Sequence, residues 1–401
     1  MKRQVTAALL AAGTVVGLCA AMAGPVTAAG LQASHASAGP RWTIVARHLD
    51  NPRGVGFTPT GWLVVTESGH AGNRCLSSPQ LGQYCAGLTS KISAINVKTH
   101  ARRVLASGLP SAFFPFEPFG LGGVSVSGQR IFAVTALPPQ EIGPPAAACA
   151  GMPPSCQAFA RVLRARVGLL IRVGHGGGWS TVAKVGAFNY AWVVRHNPDP
   201  GNPDFNPGDA DPYGVLAADG GFYVADGGSN TLSFARNAGK MKVLAYVPDP
   251  PGHQPVYDAV PTCLAKAGGS IFIGTLSGSL WRWHDGRLTE ALSGGRLTAV
   301  VGCTSDRWGN LYLVNLTQRF NAFNPAPATG SIVKVRPDMS TSYVVAPGQG
   351  LNYPNGIAFG PDRALYVSIN SLCPADLSLL DGLGLPPNYC PHSGQVIRLR
   401  A

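Results

Sequence analysis

One sequence unit recurs six times, and it restricts what this chain can fold into more than any other feature. A small residue opens an alternating stretch, a polar turn follows, and an apolar stretch begins nine residues (once eight) after the small residue. The copies are GVGFTPTGWLVVTE from Gly54, GGVSVSGQRIFAVT from Gly122, GVLAADGGFYVAD from Gly214, TCLAKAGGSIFIGT from Thr262, GCTSDRWGNLYLVN from Gly302 and GIAFGPDRALYVSIN from Gly356. Period-two alternation bounded by turn residues reads as paired β-strands. A supersecondary unit repeated along a chain stacks on its own neighbours.

A second strand-like stretch follows each hairpin: SKISAINV, GLLIRVG, NTLSFAR, GSLWRWH, GSIVKVR and GQVIRLR. A third follows five of these: ARRVLASGL, WSTVAKVG, KVLAYVP, LTEALSG and SYVVAPG. The missing sixth stands at the other end of the chain, as WTIVARHL from Trp42 to Leu49. A linear β-solenoid would not make good at one end what it lacks at the other, whereas a closed ring would, leaving no unpaired edge. The expected fold is therefore all-β: a six-bladed β-propeller with four antiparallel strands per blade, spanning residues 41–401 and closed by the N-terminal strand joining the last blade. With 51 glycines, 34 prolines and no convincing helical periodicity, the reading assigns no helix.

Residues 1–28 have the layout of a secretory signal: Lys2 and Arg3, an apolar run, then small residues ending Val26-Thr27-Ala28. The run is short for a membrane span, and Leu18 precedes Cys19 where a lipid-attachment site needs a small residue. Residues 29–40 read as a flexible leader. Removing the signal leaves eight of the nine cysteines, an even number that suits disulfides in an exported chain. Three pairs are close enough in sequence to staple loops: Cys75 with Cys85, Cys149 with Cys156, and Cys373 with Cys390. Each would contribute on the order of 2–3 kcal/mol on the entropic account. Cys263 and Cys303, at matching places in neighbouring repeats, either form a fourth disulfide or stay as two buried thiols. The expected location is secreted or in the extracytoplasmic envelope, with no transmembrane helix in the mature protein.

A net charge of +12 raises the question of nucleic acid, but only 12% of residues are charged. The basic residues are scattered singly and do not alternate with aromatics as a base-stacking groove requires. Nucleic acid is set aside, and adhesion to anionic envelope polymers fits the charge.

In such a blade, the loops joining strands two and three and those leading to the next blade emerge on one face. The long segments obey that division, including all three local cysteine pairs, while the opposite face has tight turns such as TPTG and GPDR. Long loops inside a compact domain are usually functional or disordered, and the staples favour function. Residues preceding the repeat glycines (Arg53, Tyr213, Asn355) and residues ending the second strands (Glu67, Thr135, Asp226, Thr275, Asn315, Asn370) should gather at the channel mouth. Arg53, Glu67, Tyr213, Asp226, Asn315, Asn355 and Asn370 are the candidate ligand-binding set. Glu67, Asp226 and Asn315 could hold a hard cation such as Ca2+, and strand-end capping is the competing role.

HNPDPGNPDFNPGDADPYG, from His196 to Gly214, lacks calcium-loop spacing and reads as a flap of successive turns, with Asp209 and Asp211 nearest the strand. His70, His196, His253 and His392 fall in loops of the same face. No nucleophile elbow, metalloprotease motif or phosphate loop occurs, and Gly174–Gly178 is a turn between strands.

The stretches NPRGVGFTPTGWLVVTESG (Asn51–Gly69), NPD…DPYGVLAADGGFYVADGG (Asn202–Gly228), VPTCLAKAGGSIFIGTLSG (Val260–Gly278) and YPNGIAFGPDRALYVS (Tyr353–Ser368) resemble the ScyD/ScyE family of exported, NHL-like propellers. The resemblance spreads over most of residues 41–401 and implies the propeller fold, while the biochemical role of the family is largely undefined. Asp211-Pro-Tyr-Gly stands where relatives tend to have Asn-Pro-Tyr-Gly, and Gly274-Thr275-Leu-Ser-Gly where they often carry a glutamate; the latter weakens a metal-site carry-over. The reading that follows is a monomeric, exported binding or scaffold module, without assigned catalytic residues, whose loop face holds a protein, peptide or glycan. The alternative is a calcium-dependent, lactonase-like hydrolase or a sugar-oxidising enzyme with its site at the mouth.

Overall fold

The computed structural model describes residues 42–78, 82–114, 117–200, 208–236, 239–250, 258–318, 329–372 and 394–400. The candidate signal (1–28), the leader (29–40), His253 and His392 lie outside these residues.

The chain forms a six-bladed β-propeller of six antiparallel sheets. The sixth blade runs Ile357–Phe359, Leu365–Ile369 and Gly394–Leu399, and its outer strand is Trp42–Leu49 from the other end of the chain. Trp42 lies opposite Leu399 and Ile44 opposite Ile397 in that pairing. The closure legible in the repeat count is thus the closure observed.

Hydrophobic burial is organised between blades. Leu63 and Val65 of the first blade pack with Val45, Tyr366 and Val396 of the sixth. Ile92 and Leu109 meet Ile131 and Ile171 of the second. Similar cores join the second blade to the third, the third to the fourth, the fourth to the fifth and the fifth to the sixth. Each blade's two faces are thereby covered by its neighbours, which is why the strands read as apolar on both sides.

The repeat glycines are needed where innermost strands crowd around the axis. A β-carbon on Gly302 would overlap the Asn355 carbonyl oxygen, and one on Gly356 would overlap that of Arg53. Side-chain hydroxyls stitch the same seams: Thr66 donates to Gly122 O at 2.6 Å, Thr262 to Val300 O at 2.6 Å and Ser368 to Arg53 O at 2.7 Å.

The loop-bearing face departs from the purely β reading. The first blade extends outward as a hairpin, Arg74–Ser78 against the long strand Gly82–Asn96. The long segment of the second blade folds into α1 (Pro139–Ile142), α2 (Pro145–Ala148) and α3 (Pro154–Arg164), and α4 (Val185–His196) precedes the third blade. Helices α1 to α3 each begin with proline, which is tolerated where no intrahelical N–H bond is due. Helix α4 ends at Asn197 in the left-handed region (φ 41°). Phe159, Ala160 and Leu163 of α3 pack with Leu76, Tyr84 and Ile142, giving this face a small core of its own.

Cys75–Cys85 and Cys149–Cys156 staple these two insertions, and Cys263–Cys303 joins the fourth and fifth blades. The third loop staple expected from the sequence, between Cys373 and Cys390, is not among these disulfides. Both Cys373 and Cys390 lie outside the described residues, so the pairing of Cys390 with Cys373 stays an expectation of the sequence alone. Three disulfides are the chemistry of an extracytoplasmic, oxidising compartment. The open question over Cys263 and Cys303 is answered by register. Pro261 faces Thr275 and Val300 faces Asn315, so Cys263 corresponds to Gly302 and Cys303 lies one residue further on. The longer turn of the fifth blade hides that offset in the sequence, and alternation then turns the two side chains toward one another. No helix among the described residues is long and apolar enough to cross a membrane.

Candidate functional site

Five of the innermost strands carry a bulge at or just before the repeat position, the second blade's falling between Leu121 and Val124. In the other four the pairing slips by one residue between Pro52 and Val55, between Pro212 and Gly214, between Pro261 and Cys263 and between Val300 and Gly302. A bulge re-aims the extra side chain. Here it narrows the channel with Arg53, Tyr213, Thr262 and Val301, and Asn355 holds the same place in the sixth blade.

Three of these side chains meet. The Arg53 guanidinium donates through Nη1 to the Tyr213 hydroxyl and through Nη2 to Pro118 O at 3.1 Å. Asn355 Nδ2 donates to the same hydroxyl at 2.8 Å. Arg53 and Asn355 are almost completely buried, whereas Tyr213 is half-buried. The result is a crossbar from the first and sixth blades to the third.

A cavity of about 280 Å3 lies on the loop-bearing side of the crossbar, and another of about 310 Å3 lies on the tight-turn side. Tyr213, Thr262 and Val301 line both, so the waist divides the channel. The first cavity has a floor of Arg53 and Tyr213. Phe119, Leu137, Val260, Leu276, Val301 and Leu316 make it apolar on one side, and Glu141, Asp209, Asp211 and Asp258 supply carboxyl groups. A mostly apolar concavity with a few convergent polar groups is the ordinary form of a small-ligand site.

Glu141, on α1, is buried and accepts from Ala210 N at 3.4 Å. Burial, followed by the charge and hydrogen bond of Asp209, drives its carboxyl pKa far above the usual carboxylate range. Asp211 takes Leu137 N on its own carboxylate at 3.2 Å, tying this connection to the helical insertion. Asn230 donates to Asp249 at 2.9 Å and to Asp258, and accepts from Val260 N, fixing the opposite rim.

Of the sequence candidates, Arg53, Tyr213 and Asn355 are brought together. Glu67, Asp226 and Asn315 stand in the first, third and fifth blades and do not line the cavity. Each holds the connection entering its own blade. Glu67 accepts from Asp50 N at 2.8 Å, from Ser93 Oγ at 2.5 Å and from Arg102 at 2.5 Å, with Lys91 Nζ at 3.6 Å. Asp226 accepts from Asp211 N at 2.7 Å, Ser229 N at 3.0 Å and Asn189 Nδ2 at 2.8 Å. Its burial pushes the carboxyl up to about 6. Asn315 accepts from Thr298 N at 3.2 Å and donates to Arg296 O and Ser331 Oγ, both at 2.8 Å. Thr135 accepts from Leu169 N at 2.8 Å and Thr275 from Ser279 N at 3.0 Å. Asn370 is left-handed (φ 56°) and donates its backbone N–H to Asn352 O at 2.8 Å.

Among the described residues, no group of three or more His, Cys, Asp or Glu side chains is placed to hold a metal ion. His70 lies 3.9 Å from Asp50, and His196 contacts Trp192 O at the end of α4; neither lines the cavity. Glu141 escapes a reading of the sequence as a lone acid in a proline-rich loop, and Asp258 because it shares a long connection with Asp249 in no recognisable motif. Leu276 and Leu316 carry a usable signal, since each directly follows the last residue of a second strand.

No family model and no curated protein matches the chain. Solved propeller structures do. A protein of unknown function from Bacteroides thetaiotaomicron superposes with a TM-score of 0.50 at 10% identity, over 90% of this chain and 72% of that one. The luciferin-regenerating enzyme gives 0.48 at 11% identity, covering 90% and 96%. Virginiamycin B lyase from Staphylococcus aureus gives 0.44 at 11% identity, covering 90% and 99%. At such identities the likeness is one of fold.

Proposed function

We propose that this chain is an exported propeller that binds its ligand through the loop-bearing face, without catalytic residues of its own. The blind cavity above the Arg53–Tyr213–Asn355 crossbar carries the reading: it is concave, stapled at its rim and closed at its floor. The loop-face residues of the sequence-derived set, Arg53 and Tyr213, would contact the ligand directly. Glu67, Asp226, Asn315 and Asn370 would keep the connections above it in place. A protein side chain, a peptide end or a glycan unit from the envelope is the occupant this cavity suits. Export rests on the signal-like residues 1–28 and the leader 29–40, and residues 41–401 would act as a monomer. A disulfide between Cys373 and Cys390 would add a further staple to the same face. The resemblance to the ScyD/ScyE family supports the same reading.

Affinity capture from an envelope extract tests it. The wild-type chain should retain a partner that a Tyr213→Ala, Asp209→Asn double variant, shown by near-ultraviolet dichroism to stay folded at the assay temperature, does not. Equal capture by both proteins would overturn the reading. The alternative, a calcium-dependent hydrolase or sugar-oxidising enzyme, needs a cation at the mouth. On that alternative Glu67, Asp226 and Asn315 would have to give up the backbone N–H groups they hold in order to reach a cation. Elemental analysis of the purified protein addresses that alternative directly.

A further inference from the structure

The cavity on the tight-turn side has its own chemistry. Its wall is made by residues of the six innermost strands, Cys263 and Cys303 among them. These two sulfurs form the disulfide between the fourth and fifth blades, 40 residues apart in sequence. The other described pairs are separated by 10 and 7 residues, each within one insertion. Cys303 is half-buried on the channel wall, whereas Cys263 is 6% exposed. The cavity runs outward to Phe57, Lys266 and Ser305 near the tight turns, and Lys266 is exposed there, ion-paired with Asp219. Behind the disulfide there is no slack: a β-carbon on Gly274 would lie 2.6 Å from Cys263 Sγ and 3.0 Å from Cys303 Sγ. The disulfide thus packs against Gly274 and Val300 in the seam between the two blades, and both its cysteines line the cavity.

We propose that Cys263–Cys303 is a thiol-exchange site, reached through the tight-turn half of the channel by low-molecular-weight thiols and closed to protein dithiols. A small thiolate attacks Cys303 Sγ, on the more exposed of the two residues. The Cys303–Cys263 bond breaks as the bond to Cys303 forms, and Cys263 leaves as the thiolate, giving a mixed disulfide on Cys303. A second small thiol attacks the small-molecule sulfur of that mixed disulfide. It releases the oxidised small-molecule disulfide and leaves Cys303 and Cys263 reduced, so two thiols are oxidised for one protein disulfide reduced. Reduction removes the covalent tie between two blades, while the hydrogen bond from Thr262 to Val300 O still spans that seam.

The experiment uses the whole folded chain. It is incubated with 2-mercaptoethanol or, separately, with reduced thioredoxin, then alkylated and mapped by peptide mass spectrometry while near-ultraviolet dichroism reports the fold. With 2-mercaptoethanol, Cys263 and Cys303 should be alkylated at least tenfold faster than Cys149 and Cys156, with the dichroism retained. Reduced thioredoxin should give no such preference. Lys266→Trp, which narrows the opening without touching either cysteine, should slow labelling by 2-mercaptoethanol several-fold. Equal rates for the two disulfides, labelling only after the dichroism is lost, labelling by thioredoxin as fast as by 2-mercaptoethanol, or no effect of Lys266→Trp would overturn the proposal.

Discussion

Arg53 and Tyr213, 160 residues apart, meet across the propeller channel, with the guanidinium donating into the phenolic oxygen and Asn355 donating into the same atom. Arg53 is 2% exposed, so its charge is held by these partners and by Pro118 O. Tyr213→Phe removes one oxygen and leaves two buried donors short of an acceptor. Such a loss costs about 1–3 kcal/mol. The urea midpoint should fall with the slope unchanged. The Arg53→Met, Tyr213→Phe double variant should lose less than the sum of its parts, because no buried cation is left behind. Additive losses would show that the crossbar is not an energetic unit.

Three carboxyl groups whose pKa values are raised set the pH dependence, Asp226, Glu141 and Asp258, the last pushed up to about 8 by burial and by its neighbour Asp249. Asp226 has its pKa raised to about 6, chiefly by burial, and Glu141 is raised further by burial and by Asp209. A carboxyl whose folded pKa exceeds its unfolded value binds more protons when folded, so stability falls as pH rises between the two values. For Asp226 that window runs from about 4 to about 6. Unfolding free energy should therefore decline from about pH 4 to about pH 6, with Asp226 contributing on the order of 2–3 kcal/mol, and go on declining above that through Asp258 and Glu141. Asp226→Asn should make the decline shallower between about pH 4 and about pH 6 and leave its upper part unchanged. Asn189 can turn its amide to accept from the new side chain, because its Oδ1 is buried without a partner among the described residues. A variant as pH-dependent as wild type would remove Asp226 from the account.

Much of the ring was legible because its physics is local. The period-two alternation marks each hairpin, and the repeat glycines mark where strands approach too closely for a β-carbon. The same alignment puts Arg53, Tyr213 and Asn355 at equivalent places around one mouth, where the structure joins them. The helices were not legible: α3 and α4 are only 11 and 12 residues long, the first following a proline-rich segment and the second preceding one. Glu141 and Asp258 reach the cavity only through loop packing, which no periodicity records. The offset of Cys303 against Cys263 was hidden by a turn-length difference that only strand register reveals.

Gly274 faces the interblade disulfide, and a methyl group there would meet Cys263 Sγ and Val300 Cγ1 at 2.6 Å. Gly274→Ala should cost about 1–3 kcal/mol through overpacking. In a Cys263→Ala, Cys303→Ala background the sulfurs are gone, so the same substitution should cost less by about 1 kcal/mol or more, a coupling that denaturant titration of the four proteins measures. Equal costs in both backgrounds would place the crowding at Val300 instead.

Ring closure itself can be tested by moving a strand. Deleting residues 1–49 removes Trp42–Leu49 and uncovers the edge of Gly394–Leu399, together with the apolar surface that Val45 and Leu49 cover. An exposed apolar edge strand pairs with other copies, so the deletion should elute as aggregate in size-exclusion chromatography. In the intact protein Trp42 sits directly opposite Leu399. A chain starting at Asp50 and running from Leu399 through an Asn-Gly turn into Trp42–Leu49 would therefore restore the same pairing, since two-residue turns of that type suit a right-twisted hairpin. This permutant should elute as a monomer and melt within a few degrees of wild type. If it aggregates like the deletion, the strand's role in closing the ring does not depend on its pairing alone, and the connection through Asp50 into the first blade must carry the closure.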